Sequence, residues 1–82
     1  MENREWLKVK RLDKKMTHDD VAKVSGIERA YYTMIEQGKR RPSVQVAKAI
    51  ATVLDFDWVL FFDEKSNETL HLDTVKYIYV AI

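Results

Sequence analysis

Cysteine is absent from the sequence, so neither a disulfide framework nor a thiolate metal site is available to the chain. The sequence also lacks an uninterrupted apolar run of about 18 residues, the length that predicts a membrane-spanning helix. Its first residues are polar and charged, and no apolar stretch follows them, which argues against a secretory signal peptide. These absences predict a soluble protein of the reducing cytoplasm that has no membrane partner.

Glycine and proline are scarce, with only Gly26, Gly38 and Pro42 among 82 residues. Each of the three lies between segments that are rich in helix-forming residues, a placement typical of turns between helices. The chain is therefore predicted to form one small all-α domain. Five helices are predicted, at about residues 2–14, 17–24, 28–37, 43–54 and 58–62.

Local side chains predict where several of these helices begin and end. Thr17 and Asp20 have the spacing of a capping box at the start of the second helix. Gly38 is expected as a left-handed cap after the third helix, with Ser43 and Asp57 as caps before the fourth and fifth. The residues predicted to face a core are Trp6, Leu7, Val9 and Leu12 in the first helix and Val44, Val46, Ala47, Ile50, Ala51 and Leu54 in the fourth.

The end of the chain has a different character. Residues 69–82 are rich in β-branched and aromatic residues, which predicts a strand. A polar stretch at residues 63–68 separates this segment from the helices. We therefore predict a helical domain at residues 1–62, followed by a linker and a C-terminal strand at residues 63–82.

Charge is unevenly distributed, although the net charge is only +1. Residues 1–41 carry 11 Lys and Arg against 7 Asp and Glu, a balance of +4, whereas residues 42–82 carry 3 against 6, a balance of −3. The asymmetry is consistent with a cationic face that binds a polyanion, and equally with ordinary solvated surface charge. Charge alone does not decide between the two.

The third predicted helix has two unlike faces. At about 100° per residue, small, polar and cationic side chains gather on one side and most of the bulky ones on the other. A helix of this kind fits the DNA major groove, where Arg, Gln and Thr can read base edges. The cations just after the helix are either a solvated charge run or part of the same surface. The first face carries Arg29, Ala30, Thr33, Met34 and Gln37, and the cations that follow are Lys39, Arg40 and Arg41.

Two stretches resemble the phage-repressor/Cro-like (Xre-type) helix-turn-helix family. They are THDDVAKVSGI at residues 17–27 and IEQGKRRPS at residues 35–43. Ala22 matches the small residue where two helices meet in that family, and Gly26 matches the glycine of its tight turn. The apolar residues that hold the helix pair together match at Ile27 and Ile35.

The resemblance covers about residues 5–62 and implies a five-helix lambda-repressor-like domain, DNA binding and commonly a two-fold dimer. It implies a buried salt bridge between Arg11 and Glu36, and a helix wheel agrees, because an isolated carboxylate on the packed side would be costly. Tyr32 departs from the family, where an aliphatic residue is common. Base reading is implied for Arg29, Ala30, Thr33 and Met34. Backbone contacts are expected from His18, Tyr31, Gln37, Lys39, Arg40 and Arg41.

The sequence gives little support for a catalytic site or a metal site. His18, Asp19 and Asp20 are consecutive on a helix, so their side chains point in different directions and do not converge on one ion. A pairing of His18 with His71 is not accompanied by a nucleophile motif or by a Gly-rich phosphate loop. The sequence therefore predicts no enzyme, no metal and no cofactor.

Two functions remain open at this point: a sequence-specific repressor, and a protein-interaction module such as an antitoxin or adaptor. The aromatic cluster of Trp58, Phe61 and Phe62 is expected in a core or an interface. The terminal strand is expected to pair with the same strand of a second chain, which would set two recognition helices about 34 Å apart on a palindromic operator. Dimer contacts are predicted for the aromatic cluster and for Val75, Tyr77, Ile78, Tyr79 and Val80.

Overall fold

The computed structural model describes residues 3–63. Four α-helices occur in this range and no strand. A single 3-10 turn follows the last helix. The helices are Glu5–Asp13 (α1), His18–Ser25 (α2), Arg29–Glu36 (α3) and Val44–Leu54 (α4), and the 3-10 turn is Trp58–Phe61.

The predicted fifth α-helix is therefore wrong in type. Its backbone bonds join residues three apart, from Leu60 N to Asp57 O (3.0 Å) and from Phe62 N to Val59 O (2.9 Å). Such bonds define 3-10 geometry, which is common in short connecting segments. The predicted cap is present, because the Asp57 side chain accepts a hydrogen bond from the Val59 amide at 3.1 Å.

The other predicted helix ends are confirmed by their capping groups. Thr17 and Asp20 form a reciprocal capping box, with side chain to amide distances of 3.0 and 2.9 Å. The Ser43 hydroxyl accepts a hydrogen bond from the Val46 amide at 3.2 Å. Gly38 has a φ of 78°, the left-handed conformation expected just past α3.

The core lies where α2 packs against α3 and α4, with α1 and the 3-10 turn closing its sides. Its contents are almost entirely aliphatic and aromatic, as expected when short amphipathic helices bury one face each. The buried core residues are Leu7, Val21, Ala22, Tyr32, Ile35, Ala47, Ile50, Leu54 and Phe61.

Three apolar residues predicted to face the core lie outside it instead. Val9 is 53% exposed, Leu12 52% and Val44 49%. In α1 only Leu7 and Arg11 are buried, one helical turn apart, so Val9 and Leu12 fall outside that narrow stripe. Val44 begins α4, and the buried part of the helix starts only at Ala47.

The predicted C-terminal strand at residues 69–82 lies outside the described residues. Within residues 3–63, no helix combines the length and the apolar character that crossing a membrane requires.

Candidate nucleic-acid interface

A tight turn between α2 and α3 fixes the angle at which α3 is presented. Gly26 ends α2 with a φ of 77°, and the Ile27 amide donates back to the Ala22 carbonyl at 2.9 Å. Ala22 is 1% exposed and lies in the core shared by the two helices. Glycine supplies the left-handed conformation without steric cost, and α3 starts three residues later. The helix-turn-helix spacing seen in the sequence therefore produces a helix-turn-helix pair.

α3 buries one face and exposes the other. Tyr32, Ile35 and Glu36 are buried in the domain. Arg29 and Ala30 are exposed at the start of the helix. Thr33 and Met34, the next two positions on that side, are half-buried. The four residues expected to read bases thus share the outward side of α3.

The cationic loop after α3 is held close to the helix. The Lys39 amide donates to the Met34 carbonyl at 2.8 Å, which turns the chain back along the helix end. The Arg40 guanidinium lies over the Tyr31 ring, 5.3 Å from its centroid. The loop's three cations, Lys39, Arg40 and Arg41, are all exposed, as is Gln37 just before them. Their positive charge therefore adjoins the outward side of α3.

Arg4 is a further cation in this region that the sequence reasoning missed. Its Nη1 atom donates to the Ile35 carbonyl at 2.6 Å and to the Arg40 carbonyl at 3.1 Å. The backbone just before α1 is held here too, because the Arg4 amide donates to the Glu36 carbonyl at 2.9 Å. These bonds tie the N-terminal end of α1 to the end of α3. No short motif could have revealed them, because they link residues more than 30 positions apart.

Arg11 and Glu36 form the buried ion pair that the resemblance implied. Arg11 Nε lies 2.8 Å from Glu36 Oε2, and Nη2 lies 3.1 Å from Oε1, a two-pronged geometry. The hydrogen bond to Glu36 raises the pKa of Arg11. Burial raises the pKa of Glu36, but hydrogen bonds from Arg11 and Tyr32 outweigh it and hold that pKa below its usual value. The pair joins α1 to α3 in its ionised form.

Tyr32 and His18 complete the set of groups around this carboxylate. The Tyr32 hydroxyl donates to Glu36 Oε2 at 2.7 Å, and burial, with this bond, raises its pKa. His18 Nε2 lies 3.1 Å from Glu36 Oε1, and His18 Nδ1 lies 2.8 Å from Thr33 Oγ1. The Tyr32 hydroxyl, which an aliphatic residue at this position would lack, thus has a buried acceptor. Both ring nitrogens of His18 are engaged inside the protein, so an imidazole contact with phosphate would require breaking one of these bonds.

The aromatic cluster predicted for dimerisation divides into a core residue and two residues at the surface. Phe61 is fully buried, packed edge-on against Trp6 and Phe56 at centroid distances of 5.2 and 5.6 Å. Its side chain is not available to a second chain, which corrects that part of the prediction. Trp58 and Phe62 are only half-buried. The remaining predicted dimer contacts, at residues 75–80, lie outside the described residues.

Comparison with known proteins agrees with this geometry. A helix-turn-helix family model matches residues 7–61. YqaF of Bacillus subtilis (strain 168), an uncharacterized HTH-type transcriptional regulator, is 56% identical over 68 residues, which cover 83% of this chain and 90% of YqaF. YqaE of the same organism, also an uncharacterized HTH-type transcriptional regulator, is 34% identical over 74 residues, or 90% of this chain and 64% of YqaE.

A solved structure is similar as well. C.Esp1396I bound to a 25 base pair operator site matches with a TM-score of 0.60 and 33% sequence identity. The match covers 78% of this chain and 84% of that one.

The fold and the outward side of α3 define a helix-turn-helix DNA-binding domain. The chain belongs to the phage-repressor/Cro-like (Xre-type) helix-turn-helix family of transcriptional regulators. It is accordingly a regulator rather than an enzyme. The family predicted from residues 17–27 and 35–43 is confirmed.

Proposed function

We propose that this protein is a transcriptional repressor that binds a palindromic operator as a homodimer. The observation that supports this most strongly is the pairing of an outward, mostly small-residue side of α3 with an exposed cationic loop. The first can enter the major groove and contact base edges, and the second can neutralise phosphates beside it. The similarity to a protein solved on operator DNA supports the same function.

Base reading is assigned to the outward side of α3. Arg29 is exposed at its first turn and can make a two-pronged contact with guanine O6 and N7. Thr33 offers a hydroxyl, whereas Ala30 and Met34 can only make apolar contacts, such as with thymine methyl groups. This division predicts that specificity depends mainly on Arg29 and Thr33.

Phosphate contacts are assigned to the loop and its neighbours. Lys39, Arg40 and Arg41 are the source of charge, with Gln37 and Tyr31 beside them. The cation–π contacts of Arg40 with Tyr31 and of Arg41 with Phe62 (5.7 Å) restrict both side chains before DNA arrives. A restrained cation loses less conformational entropy on binding than a free one.

Dimerisation is assigned to the C-terminal segment. The sequence of residues 77–82 predicts a strand that would be apolar on both faces, and an unpaired apolar strand edge favours pairing with another chain. Trp58 and Phe62 keep exposed surface that can cover such a pair. A two-fold axis here would place the same residues of both chains in contact and repeat the recognition helix about 34 Å away.

Two variants separate base reading from phosphate binding. Arg29→Ala should lose about 1–3 kcal/mol of binding to the matched duplex and relax one base position. Replacing Lys39, Arg40 and Arg41 together by Ala should weaken binding to every duplex. The same change should flatten the slope of log K against log salt, by about 0.9 for each phosphate that is no longer neutralised. Fluorescence anisotropy titrations on matched and mismatched duplexes at several salt concentrations measure both effects.

Lys14→Ala is the control, because it removes a cation that lies away from the loop. Lys14 is beside Leu54 and Asp55, where α4 ends, whereas the loop lies before α4 begins. It should leave the salt slope unchanged. A uniform reduction in affinity on all duplexes for Arg29→Ala would make Arg29 a phosphate contact. An unchanged slope for the triple variant would place the loop away from DNA. A chain that binds no duplex selectively would favour the protein-interaction module instead.

A further inference from the structure

His18 lies between a buried carboxylate and a side chain on the outward side of α3. Its Nε2 atom is 3.1 Å from Glu36 Oε1, and its Nδ1 atom is 2.8 Å from Thr33 Oγ1. The imidazole meets the Tyr32 ring edge-on at a centroid distance of 5.5 Å, and only 26% of the His18 side chain is exposed. The ring is therefore restrained, and each nitrogen has a partner within the protein.

The carboxylate dictates which way the hydrogen bonds run. An ionised carboxylate only accepts hydrogen bonds, and Glu36 stays ionised at neutral pH because of its partners Arg11 and Tyr32. His18 Nε2 must therefore carry a proton and donate it to Glu36. A neutral imidazole has one donor and one acceptor, so Nδ1 accepts, and the Thr33 hydroxyl donates to it.

We propose that His18 is a specificity-determining positioning residue, which sets whether Thr33 offers DNA a hydrogen-bond acceptor or a donor. This inference rests on the proposed function, in which Thr33 faces a base. With neutral His18, the Thr33 proton is used inside the protein, and only the oxygen lone pairs face outward. With protonated His18, Nδ1 becomes a donor, Thr33 Oγ1 accepts from it, and the hydroxyl proton is released toward the DNA.

The two states of Thr33 match different bases in the major groove. An acceptor pairs with the amino groups of adenine N6 and cytosine N4. A donor pairs with guanine O6 and N7, with thymine O4 or with adenine N7. As the imidazole gains a proton, Thr33 can thus shift its preference from cytosine, which presents only a donor, to guanine or thymine, which present only acceptors. Adenine presents both and should change least.

The charged and titratable groups around the imidazole come from three helices. α3 supplies Glu36 and Tyr32, and α1 supplies Arg11, which binds the same carboxylate. On α2 itself, the nearby charges have their own partners. Asp20 is used in the capping box with Thr17, and Asp19 pairs with Lys23 at 3.8 Å. Of these groups, Glu36 is the one that is hydrogen-bonded to the ring, and it favours a proton on Nε2 in both states of His18.

The test measures base preference at the operator position under Thr33, with all four bases placed there in turn. For the unsubstituted chain, the relative affinities for these four duplexes are compared at about pH 8 and about pH 5.5, on either side of the ordinary imidazole value. The preference should move from C toward G or T by about threefold to tenfold, the range of a single neutral hydrogen bond. Nitrogen chemical shifts of the His18 ring in the free protein should show the Nε2–H tautomer at the higher pH.

Two variants and a control make the result specific. Thr33→Val keeps the branched shape but removes the hydroxyl, so its base preference should not shift with pH. His18→Phe keeps a ring against Tyr32 without either nitrogen, and its preference should also no longer depend on pH. A thermal melt verifies that His18→Phe is folded. Thr33→Val tests the same prediction with His18 left in place. His71→Gln removes the chain's other histidine and should retain the shift.

Three results would overturn the inference. Affinity that changes with pH equally for all four bases would show that the pH effect does not act through a base contact of Thr33. A shift that survives in Thr33→Val would place the titrating group elsewhere. A preference that is the same at both pH values, on an operator that is still bound selectively, would refute the role of His18 and leave the proposed function intact.

Discussion

Glu36 accepts hydrogen bonds from three side chains that belong to three different helices. Arg11 reaches it from α1, His18 from α2 and Tyr32 from α3 itself. A buried carboxylate is costly unless its oxygens are fully satisfied, and here charge-assisted bonds satisfy them. The same residue therefore stabilises the fold and aligns the groups behind the recognition helix.

Replacing only one partner of the ion pair is expected to lower the stability of the fold. Arg11→Met should destabilise the protein by about 3–5 kcal/mol, because Glu36 is then left buried without its cation. Arg11→Met with Glu36→Leu should recover only part of that stability, since the Tyr32 hydroxyl then has no acceptor. Adding Tyr32→Phe should recover more. Urea unfolding curves measure these three variants and Glu36→Leu alone, and simple additivity of the Arg11 and Glu36 changes would contradict the pairing.

Only part of this arrangement could be predicted from the sequence. Arg11 and Glu36 were identified by the family resemblance and by the packed position of Glu36 on the helix wheel. The bond from His18 to Thr33 joins residues 15 positions apart in different helices. Spacing along one helix carries no information about such contacts, because they depend on the angle between the two helices.

At the scale of elements, the sequence predicted where the helices begin and end better than it predicted which of their faces are buried. Capping depends on residues within three positions of each other, which is why Thr17, Ser43 and Asp57 could be assigned correctly. Burial of Val9 and Leu12 depends on how many neighbours surround α1, which the sequence does not state. The type of the segment at Trp58–Phe61 depends likewise on the packing of Phe61 into the core.

Gly26 provides a test of the turn between α2 and α3. Gly26→Ala should destabilise the fold by about 1–2 kcal/mol, because its φ of 77° is unfavourable for a residue with a Cβ. Space is not the cause, since a Cβ there would meet no atom within 4 Å. Gly26→Asn is the matched control and should cost less, because Asn tolerates the left-handed region. Equal destabilisation by Ala and Asn in thermal melts would show that φ is not the reason.

At the scale of the whole molecule, the C-terminal segment is proposed to control affinity through dimerisation. Truncation after Glu68 should give a folded monomer, because the core closes within residues 7–61. Its operator binding should be much weaker, since one recognition helix replaces two. Sedimentation at micromolar concentration and circular dichroism check the two expectations. A truncated chain that still sediments as a dimer would contradict the assignment of this segment.

The proposed function requires that α3 reads a specific operator on behalf of a two-fold dimer. Selection of bound sequences from a random duplex library, carried out with the full chain, is the decisive test. We expect enrichment of an inverted repeat whose half-site centres lie about one DNA turn, or 10 base pairs, apart. Failure to enrich any motif would contradict sequence-specific binding, and enrichment of a single unrepeated site would contradict the dimer.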